Sequence, residues 1–174
     1  MKYKLLCVCA VLAISAAPAA AQSKQSFSGK CAKPEGVQTI PAGDKEGHVF
    51  MIQQGKCETA TGEMEGVKSK GGAFAEHGES SATRTQSWGV YTETYENGDK
   101  LFYDYHTSGA VKDGSMSSGG NTYRIIGGTG KLKGVKGSGS CKLKGNADGG
   151  LDFTCTGEYT VSAAKAPAKK KSSK

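Results

Sequence analysis

Apolar and polar residues alternate along several short stretches of this chain, which is the pattern of a half-buried β-strand. The clearest case spans residues 151–161, where Leu151, Phe153, Cys155, Tyr159 and Val161 alternate with polar or charged residues. Residues 48–57 form an apolar run that predicts a buried strand. Further strands are predicted around Phe27 and at 71–81, 110–117 and 122–126. Beyond residue 21 no segment shows a sustained helical period.

The sequence Asn97-Gly98 lies between two β-prone stretches and is the strongest local signal for a β-hairpin. A two-residue loop at this point pairs Glu96 with Asp99 and, further along, Thr94 with Leu101. In this register one face of the hairpin carries Tyr91, Glu93, Tyr95, Lys100, Phe102, Asp104 and His106. Aromatic residues occur on both faces, which favours a barrel over a sheet with one solvated side.

Four cysteines follow residue 21, and no two of them form a C-x-x-C pair, so two disulfide bonds are favoured over a metal site. If the turn of the last hairpin centres near Asp148, Cys141 lies directly opposite Cys155, within bridging distance. The sequence therefore predicts a Cys141–Cys155 bond, and elimination leaves Cys31–Cys57.

The first 21 residues have the three parts of a secretion signal. Lys2 and Lys4 precede an apolar run at 5–14, and the alanines at 19–21 fit the small residues before a cleavage site. The apolar run is too short to cross a bilayer core of ~30 Å as a helix, which disfavours a retained anchor. We expect cleavage after Ala21 and a periplasmic or secreted mature protein that is not embedded in a membrane.

Composition points to one small β-rich domain. The 26 glycines and the many Ser and Thr residues favour numerous turns and short strands. Seven or eight strands joined by hairpins predict an all-β fold, either a closed antiparallel barrel or a sandwich. We divide the chain into a signal at 1–21, an N-terminal extension at 22–47, a β-barrel domain at 48–163 and a lysine-rich tail at 164–174.

The net charge of +7 resides at the two ends of the chain, since residues 22–164 contain equal numbers of basic and acidic residues. We expect the tail to be disordered because it has almost no apolar residue to pack. It either aids solubility or attaches the protein to an anionic envelope surface through Lys165, Lys169, Lys170, Lys171 and Lys174. The balanced body argues against a specific nucleic-acid partner.

Residues 123–140, with the sequence YRIIGGTGKLKGVKGSGS, resemble the glycine motif of allene-oxide-cyclase-like barrels, which is loosely shared with dirigent proteins. The resemblance covers roughly residues 88–161. It implies a closed antiparallel barrel of about eight strands, stapled here by the disulfides, with a lumen that can hold an apolar small molecule. Plant members of these families cyclise an epoxide or steer phenoxy-radical coupling, whereas many bacterial relatives have no assigned reaction.

The glycines of this motif are expected to have a structural role, permitting positive φ and close strand approach at a barrel corner. These structural glycines are Gly127, Gly128, Gly130, Gly134 and Gly137. A phosphate-binding loop is excluded by spacing, because Leu132 follows Lys131 where a Ser or Thr is required.

Candidate chemistry is confined to the central hairpin. The three histidines lack metal-ligand spacing and no serine-hydrolase motif occurs, so we predict no metal and no cofactor. Glu93 and His106 are the candidate catalytic residues, since a carboxylate of raised pKa beside a histidine suits acid–base work if that face lines the lumen. The candidates for lining the lumen are Tyr91, Tyr95, Phe102 and Asp104. If the face is solvated, these are ordinary surface groups.

Together these features favour an exported, non-enzymatic barrel that binds a small apolar ligand or has a structural role in the cell envelope. Two alternatives remain open. One is an isomerase or cyclase acting in the barrel lumen, and the other is envelope attachment or inhibition of a partner through the basic tail.

Overall fold

The structure, a computed structural model, describes residues 22–161; the expected signal and the lysine-rich tail lie outside this range. The described chain forms ten strands and one 3₁₀ turn, Gly130–Leu132. The strands are β1 (Ser23–Cys31), β2 (Glu35–Pro41), β3 (Val49–Thr61), β4 (Glu63–Met64), β5 (Val67–Ser80), β6 (Arg84–Tyr95), β7 (Lys100–Lys112), β8 (Ser115–Gly128), β9 (Val135–Gly145) and β10 (Leu151–Val161). Within residues 22–161 no helix has the length and apolar character needed to cross a membrane.

Eight of the strands close into an antiparallel barrel in the order β3-β1-β10-β9-β8-β7-β6-β5, and β5 pairs with β3 to complete the ring. Strand β2 pairs with the first half of β3, and the short β4 forms a hairpin with β5. The predicted all-β fold, a closed antiparallel barrel of about eight strands, is confirmed. Closure pairs each of the eight barrel strands on both sides.

Strand β1 occupies one of the eight barrel positions, although the sequence analysis placed it in an N-terminal extension. It pairs with β10 over its full length and with the second half of β3. Gln25 and Phe27 alternate inward along it, but Gly29 and the neighbouring serines interrupt the apolar period. Residues 23–31 therefore belong to the barrel, and a boundary at residue 47 does not separate an extension from it.

The register predicted for the central hairpin is wrong by one residue. The Tyr95 N–H donates to the Asp99 carbonyl and the Gly98 N–H donates to the Tyr95 carbonyl, both at 2.9 Å, which makes a three-residue loop. Gly98 has φ +84°, as the last position of such a loop requires. The carboxylate of Asp99 is fixed by the Lys131 N–H at 3.0 Å, a tertiary contact that local sequence does not reveal. Glu93 consequently faces Leu101 across the hairpin.

The segment at 110–117, predicted as one strand, contains a turn. Asp113 and Gly114 have φ +52° and +77°, and Lys112 pairs directly with Ser115. Asp-Gly is a strong signal for a two-residue hairpin loop, because both positions require positive φ. The sequence therefore held the evidence for the β7–β8 hairpin, and the polar character of the segment obscured it.

Both predicted disulfide bonds are confirmed. Cys141 and Cys155 are direct partners on β9 and β10, and Cys31 and Cys57 are direct partners on β1 and β3. All four cysteines line the interior of the barrel. Each bond therefore joins two neighbouring strands of the closed ring.

The glycine motif forms one end of the barrel. Gly130 and Gly134 have φ +51° and +86°, whereas Gly128 and Gly137 lie where a side chain would collide with a backbone carbonyl of a nearby segment. At these four positions the backbone conformation or a close approach of another segment favours glycine. Gly127 has no positive φ, and a Cβ at this position would lie no closer than 3.5 Å to another atom, a ring carbon of Phe102.

Candidate ligand-binding lumen

The interior of the barrel holds a cavity of 410 Å³. One end is closed by side chains that are almost completely buried, namely Met64, Leu101, Leu132 and Val135. Leu132 is carried by the 3₁₀ turn of the glycine motif, so the motif supplies part of the floor. At the other end the cavity reaches exposed residues of the β1–β2, β7–β8 and β9–β10 loops, including Lys33, Gly114 and Gly149. The lumen is thus a cup with one mouth.

Aromatic side chains form most of the cup's wall. The rings that line it are Phe27, Phe74, Tyr91, Tyr103, Tyr105, Tyr123 and Phe153. Tyr103 and Tyr123 meet edge to face, with ring centroids 5.6 Å apart, and Phe27 lies 5.8 Å from Tyr123. Such tilted contacts are the favourable arrangement of aromatic pairs. The lumen therefore offers an apolar surface with several phenolic hydroxyl groups.

Glycines on neighbouring strands make room for these rings. A side chain at Gly89 would have its Cβ 2.6 Å from the Tyr105 hydroxyl, and one at Gly55 would lie 2.6 Å from the Phe74 ring. Side chains at Gly139 or Gly157 would collide with the hydroxyl of Tyr123. The many glycines of the sequence are thus explained in part by the size of the inward aromatic residues.

A belt of polar groups runs obliquely along the inner face of the barrel. Pairing links Gln53, Glu76, Tyr105, Tyr123 and Gln25 in turn from β3 round to β1, with three glycines between them. Because the strands of a barrel are tilted, this line descends from Gln53 in the half of β3 nearer the mouth to Gln25 near the floor end of β1. The carboxylate of Glu76 accepts hydrogen bonds from the Tyr105 hydroxyl at 2.9 Å and from the Gln53 amide. The Ser87 hydroxyl donates to the same carboxylate at 2.7 Å. Gln25 donates to the Tyr123 hydroxyl at 2.8 Å.

The phenols of the belt stay protonated over the physiological range. Burial, with the neighbouring Glu76 carboxylate, raises the pKa of Tyr105 far above its ordinary value. Burial also raises the pKa of Tyr123 to about 12. Each hydroxyl therefore remains a hydrogen-bond donor at neutral pH.

Two buried polar atoms of the wall have no hydrogen-bond partner among the described residues. They are the Tyr91 hydroxyl and the Oδ1 of Asn121, and both residues line the cavity. Buried polar atoms are usually paired, because an unpaired one loses its hydration without compensation. Both atoms lie within the wall itself, and the Tyr91 hydroxyl is close to Glu93 and Thr59.

Glu93 lies inside the barrel, near the floor. Only 3% of its surface is exposed, and it is not among the described residues that line the cavity. Burial raises the pKa of this carboxyl, and the neighbouring Tyr91 and Thr59 hydroxyls offset only part of the effect. The Thr59 hydroxyl donates to the carboxylate at 2.9 Å. Tyr95 is also buried near the floor, outside the cavity lining.

The remaining candidates lie on the outer face, because the one-residue correction of register moves every side chain of β7 to the opposite side. His106 stacks on the exposed Trp88, with ring centroids 4.9 Å apart, and Asp104 forms an ion pair with Arg124. Phe102 also points outward, between the inward Leu101 and Tyr103. The expected face shared by Glu93, Asp104 and His106 does not exist. Within residues 22–161 no group of three or more His, Cys, Asp or Glu side chains is arranged to hold a metal ion.

The polar belt is not predicted from the sequence, because the two-residue loop places Tyr105 on the opposite face from Tyr91. The sequence of β7 contains the signal, because Leu101, Tyr103, Tyr105 and Thr107 occupy every second position and therefore share one face. A three-residue loop puts that face on the same side of the hairpin as Tyr91.

Comparison with known proteins found no matching family model and no match among curated proteins. Among solved structures, the chain is similar to a conserved protein of unknown function, RPA1785 from Rhodopseudomonas palustris. The TM-score is 0.48 at 12% identity, with 79% of this chain and 98% of that chain covered. It is also similar to the pterocarpan synthase dirigent protein PsPTS1, with a TM-score of 0.41 at 13% identity and coverage of 83% and 96%. For the pterocarpan synthase dirigent protein GePTS1 the TM-score is 0.43 at 12% identity, with 80% and 88% covered.

Proposed function

We propose that the protein is an exported, non-enzymatic barrel that binds a small apolar or aromatic molecule in its lumen. The observation that carries this proposal is the 410 Å³ cavity walled by aromatic rings. Sites for small molecules are typically concave, mostly apolar and roughly 300–1,000 Å³ in volume, with a few placed polar groups. The belt around Glu76 supplies such polar groups.

Export is supported by the two disulfide bonds, because such bonds persist in oxidising compartments and are rare in the cytosol. The secretion signal expected at residues 1–21 agrees with this assignment. A periplasmic or extracellular carrier would meet its ligand outside the cytoplasm, at the open mouth of the cup.

Binding is favoured over catalysis because the two candidate catalytic side chains are not brought together. His106 lies on the outer face beside Trp88, and Glu93 lies near the floor, outside the cavity lining. Acid–base catalysis requires groups within hydrogen-bond reach of the reacting atoms. A lumen isomerase would therefore need a different set of residues.

A fluorescence titration of the oxidised protein with the neutral probe N-phenyl-1-naphthylamine tests the proposal. Saturable binding at one site is expected. Asn121→Phe places a ring in the cavity and should weaken binding about tenfold or more, a loss typical of a blocked apolar site. Thr122→Phe adds the same ring to the next residue, which is exposed on the outer face, and should leave binding unchanged.

Absence of saturable binding would refute the proposal. A loss of binding in Thr122→Phe with retention in Asn121→Phe would place the site on the outer face and refute it equally.

A further inference from the structure

The lumen contains one charged group away from its mouth. Among the described residues that line the cavity, Glu76 and Lys33 are the two with a formal charge. Lys33 is exposed at the rim, where its side chain lies near Gly149. Glu76 is in the polar belt at mid-depth, and within residues 22–161 no lysine, arginine or histidine nitrogen lies within ion-pair distance of its carboxylate.

Neutral donors hold this carboxylate in place without cancelling its charge. Its three hydrogen bonds come from a glutamine, a serine and a tyrosine. A carboxylate has about four acceptor positions, so one position remains for a further donor. An ammonium group placed at this position meets no competing cation of the described chain and forms a charge-assisted hydrogen bond.

The surrounding wall favours positive charge in a second way. Tyr91, Tyr103, Tyr105 and Tyr123 present aromatic rings to the same space. The negative faces of aromatic rings attract ammonium groups, and the attraction is stronger where water is excluded.

From these contacts we infer that the lumen selects an organic cation, an aromatic or apolar skeleton that carries a protonated amine. The ammonium N–H groups donate to Glu76, and the skeleton packs on the aromatic wall. This inference rests on the proposed ligand-binding function and adds the charge of the ligand to it. It also predicts that ligands with a carboxylate are rejected, since two enclosed carboxylates repel each other.

Three indole compounds of similar size and different charge test the inference by isothermal titration calorimetry at neutral pH. They are tryptamine, a cation; tryptophol, its neutral alcohol analogue; and indole-3-acetate, an anion. Tryptamine should bind about tenfold or more tightly than tryptophol, the gain expected of a charged hydrogen bond over a neutral one. Indole-3-acetate should bind most weakly. This ranking needs only the unmodified protein.

Glu76→Gln then identifies the group responsible. It should bring tryptamine and tryptophol to similar affinities, with the larger loss of affinity for tryptamine. Glu63→Gln, which removes an exposed carboxylate of β4, should keep the preference for tryptamine.

Equal binding of tryptamine and tryptophol by the unmodified protein would overturn the inference and leave the proposed binding function intact. So would a preference for the cation that persists in Glu76→Gln. If none of the three indoles and no naphthylamine probe bound, both the inference and the proposed function would fail.

Discussion

The Tyr105 hydroxyl donates a 2.9 Å hydrogen bond to the Glu76 carboxylate across the strand that separates them. Tyr105 is on β7 and Glu76 is on β5, and Gly89 of β6 lies directly between them in the pairing. The contact depends on the missing side chain at Gly89, because a Cβ there would lie 2.6 Å from the hydroxyl and 2.7 Å from the Glu76 Cβ. The missing side chain at Gly89 thus lets Tyr105 reach Glu76, the only charged residue away from the mouth in the described part of the cavity wall.

Gly89→Ala should destabilise the protein by about 1–3 kcal/mol, the usual cost of an extra methyl group in a packed interior. The measurement is urea unfolding followed by circular dichroism. Gly127→Ala is the matched control, since the nearest atom on its side-chain side is at 3.5 Å and the change should be close to neutral. Equal stability of the two variants would contradict the role assigned to Gly89.

Glu93 should make the protein less stable as pH rises. Burial raises the pKa of this carboxyl in the folded state, so folding favours the protonated form. Its favourable contribution is complete below the pKa of the unfolded chain and is lost as pH rises through the raised pKa. Each tenfold change in the ionisation constant corresponds to about 1.4 kcal/mol.

Glu93→Gln should therefore gain stability relative to the unmodified protein as pH is raised from mildly acidic to mildly alkaline. Urea unfolding of both proteins across that range gives the difference directly. The exposed Glu63→Gln reports the effect of the net charge change alone. A difference between Glu93→Gln and the unmodified protein that does not vary with pH would show that the buried carboxyl does not titrate as described.

Removal of either disulfide should cost roughly 3 kcal/mol, because each closes a loop of modest length, with sequence separations of 14 and 26. The variants are Cys141→Ala with Cys155→Ala, and Cys31→Ala with Cys57→Ala. Guanidinium unfolding in the absence of reductant provides the measurement. A pair of variants as stable as the unmodified protein would show that the bond does not constrain the unfolded chain.

The corrected register predicts opposite outcomes for two adjacent residues of β7. Tyr103→Ala should cost about 3–5 kcal/mol, since its ring is 5% exposed and packs in the lumen. Asp104→Ala should cost no more than about 1 kcal/mol, because its partner Arg124 is 70% exposed and surface ion pairs contribute little. Thermal unfolding of both variants distinguishes the two registers. A larger loss of stability in Asp104→Ala than in Tyr103→Ala would support the two-residue loop instead.

The sequence alone was sufficient to predict structure where apolar residues alternate strictly along a strand, or where two neighbouring strands pair through a short turn. The alternation of β10 and the opposed Cys141 and Cys155 follow from the sequence alone, and both are observed. Both depend on interactions within or between neighbouring segments. The strand count left a barrel or a sandwich open, and the resemblance of the glycine motif implied the closed barrel that is observed.

The contents of the lumen could not be derived in the same way. The inward face of β7 depends on one extra loop residue, Glu96, and the loop is held by a contact from Lys131 to Asp99, 32 positions apart. The position of β1 in the barrel depends on closure of the whole ring. The local sequence of β1, which is interrupted by Gly29, does not predict that position. Because strand alternation has a period of two, a single error of register exchanged the lumen candidates Phe102 and Asp104 for Tyr103 and Tyr105.

Intermolecular nuclear Overhauser effects between a bound aromatic ligand and the protein test the central claim most directly. With tryptophol as ligand, we expect contacts to the ring protons of Tyr105, Tyr123 and Phe27, all of which face the lumen. Contacts confined to Trp88 and Val90 of the outer face, or none at all, would contradict the account of this barrel as a binding cup.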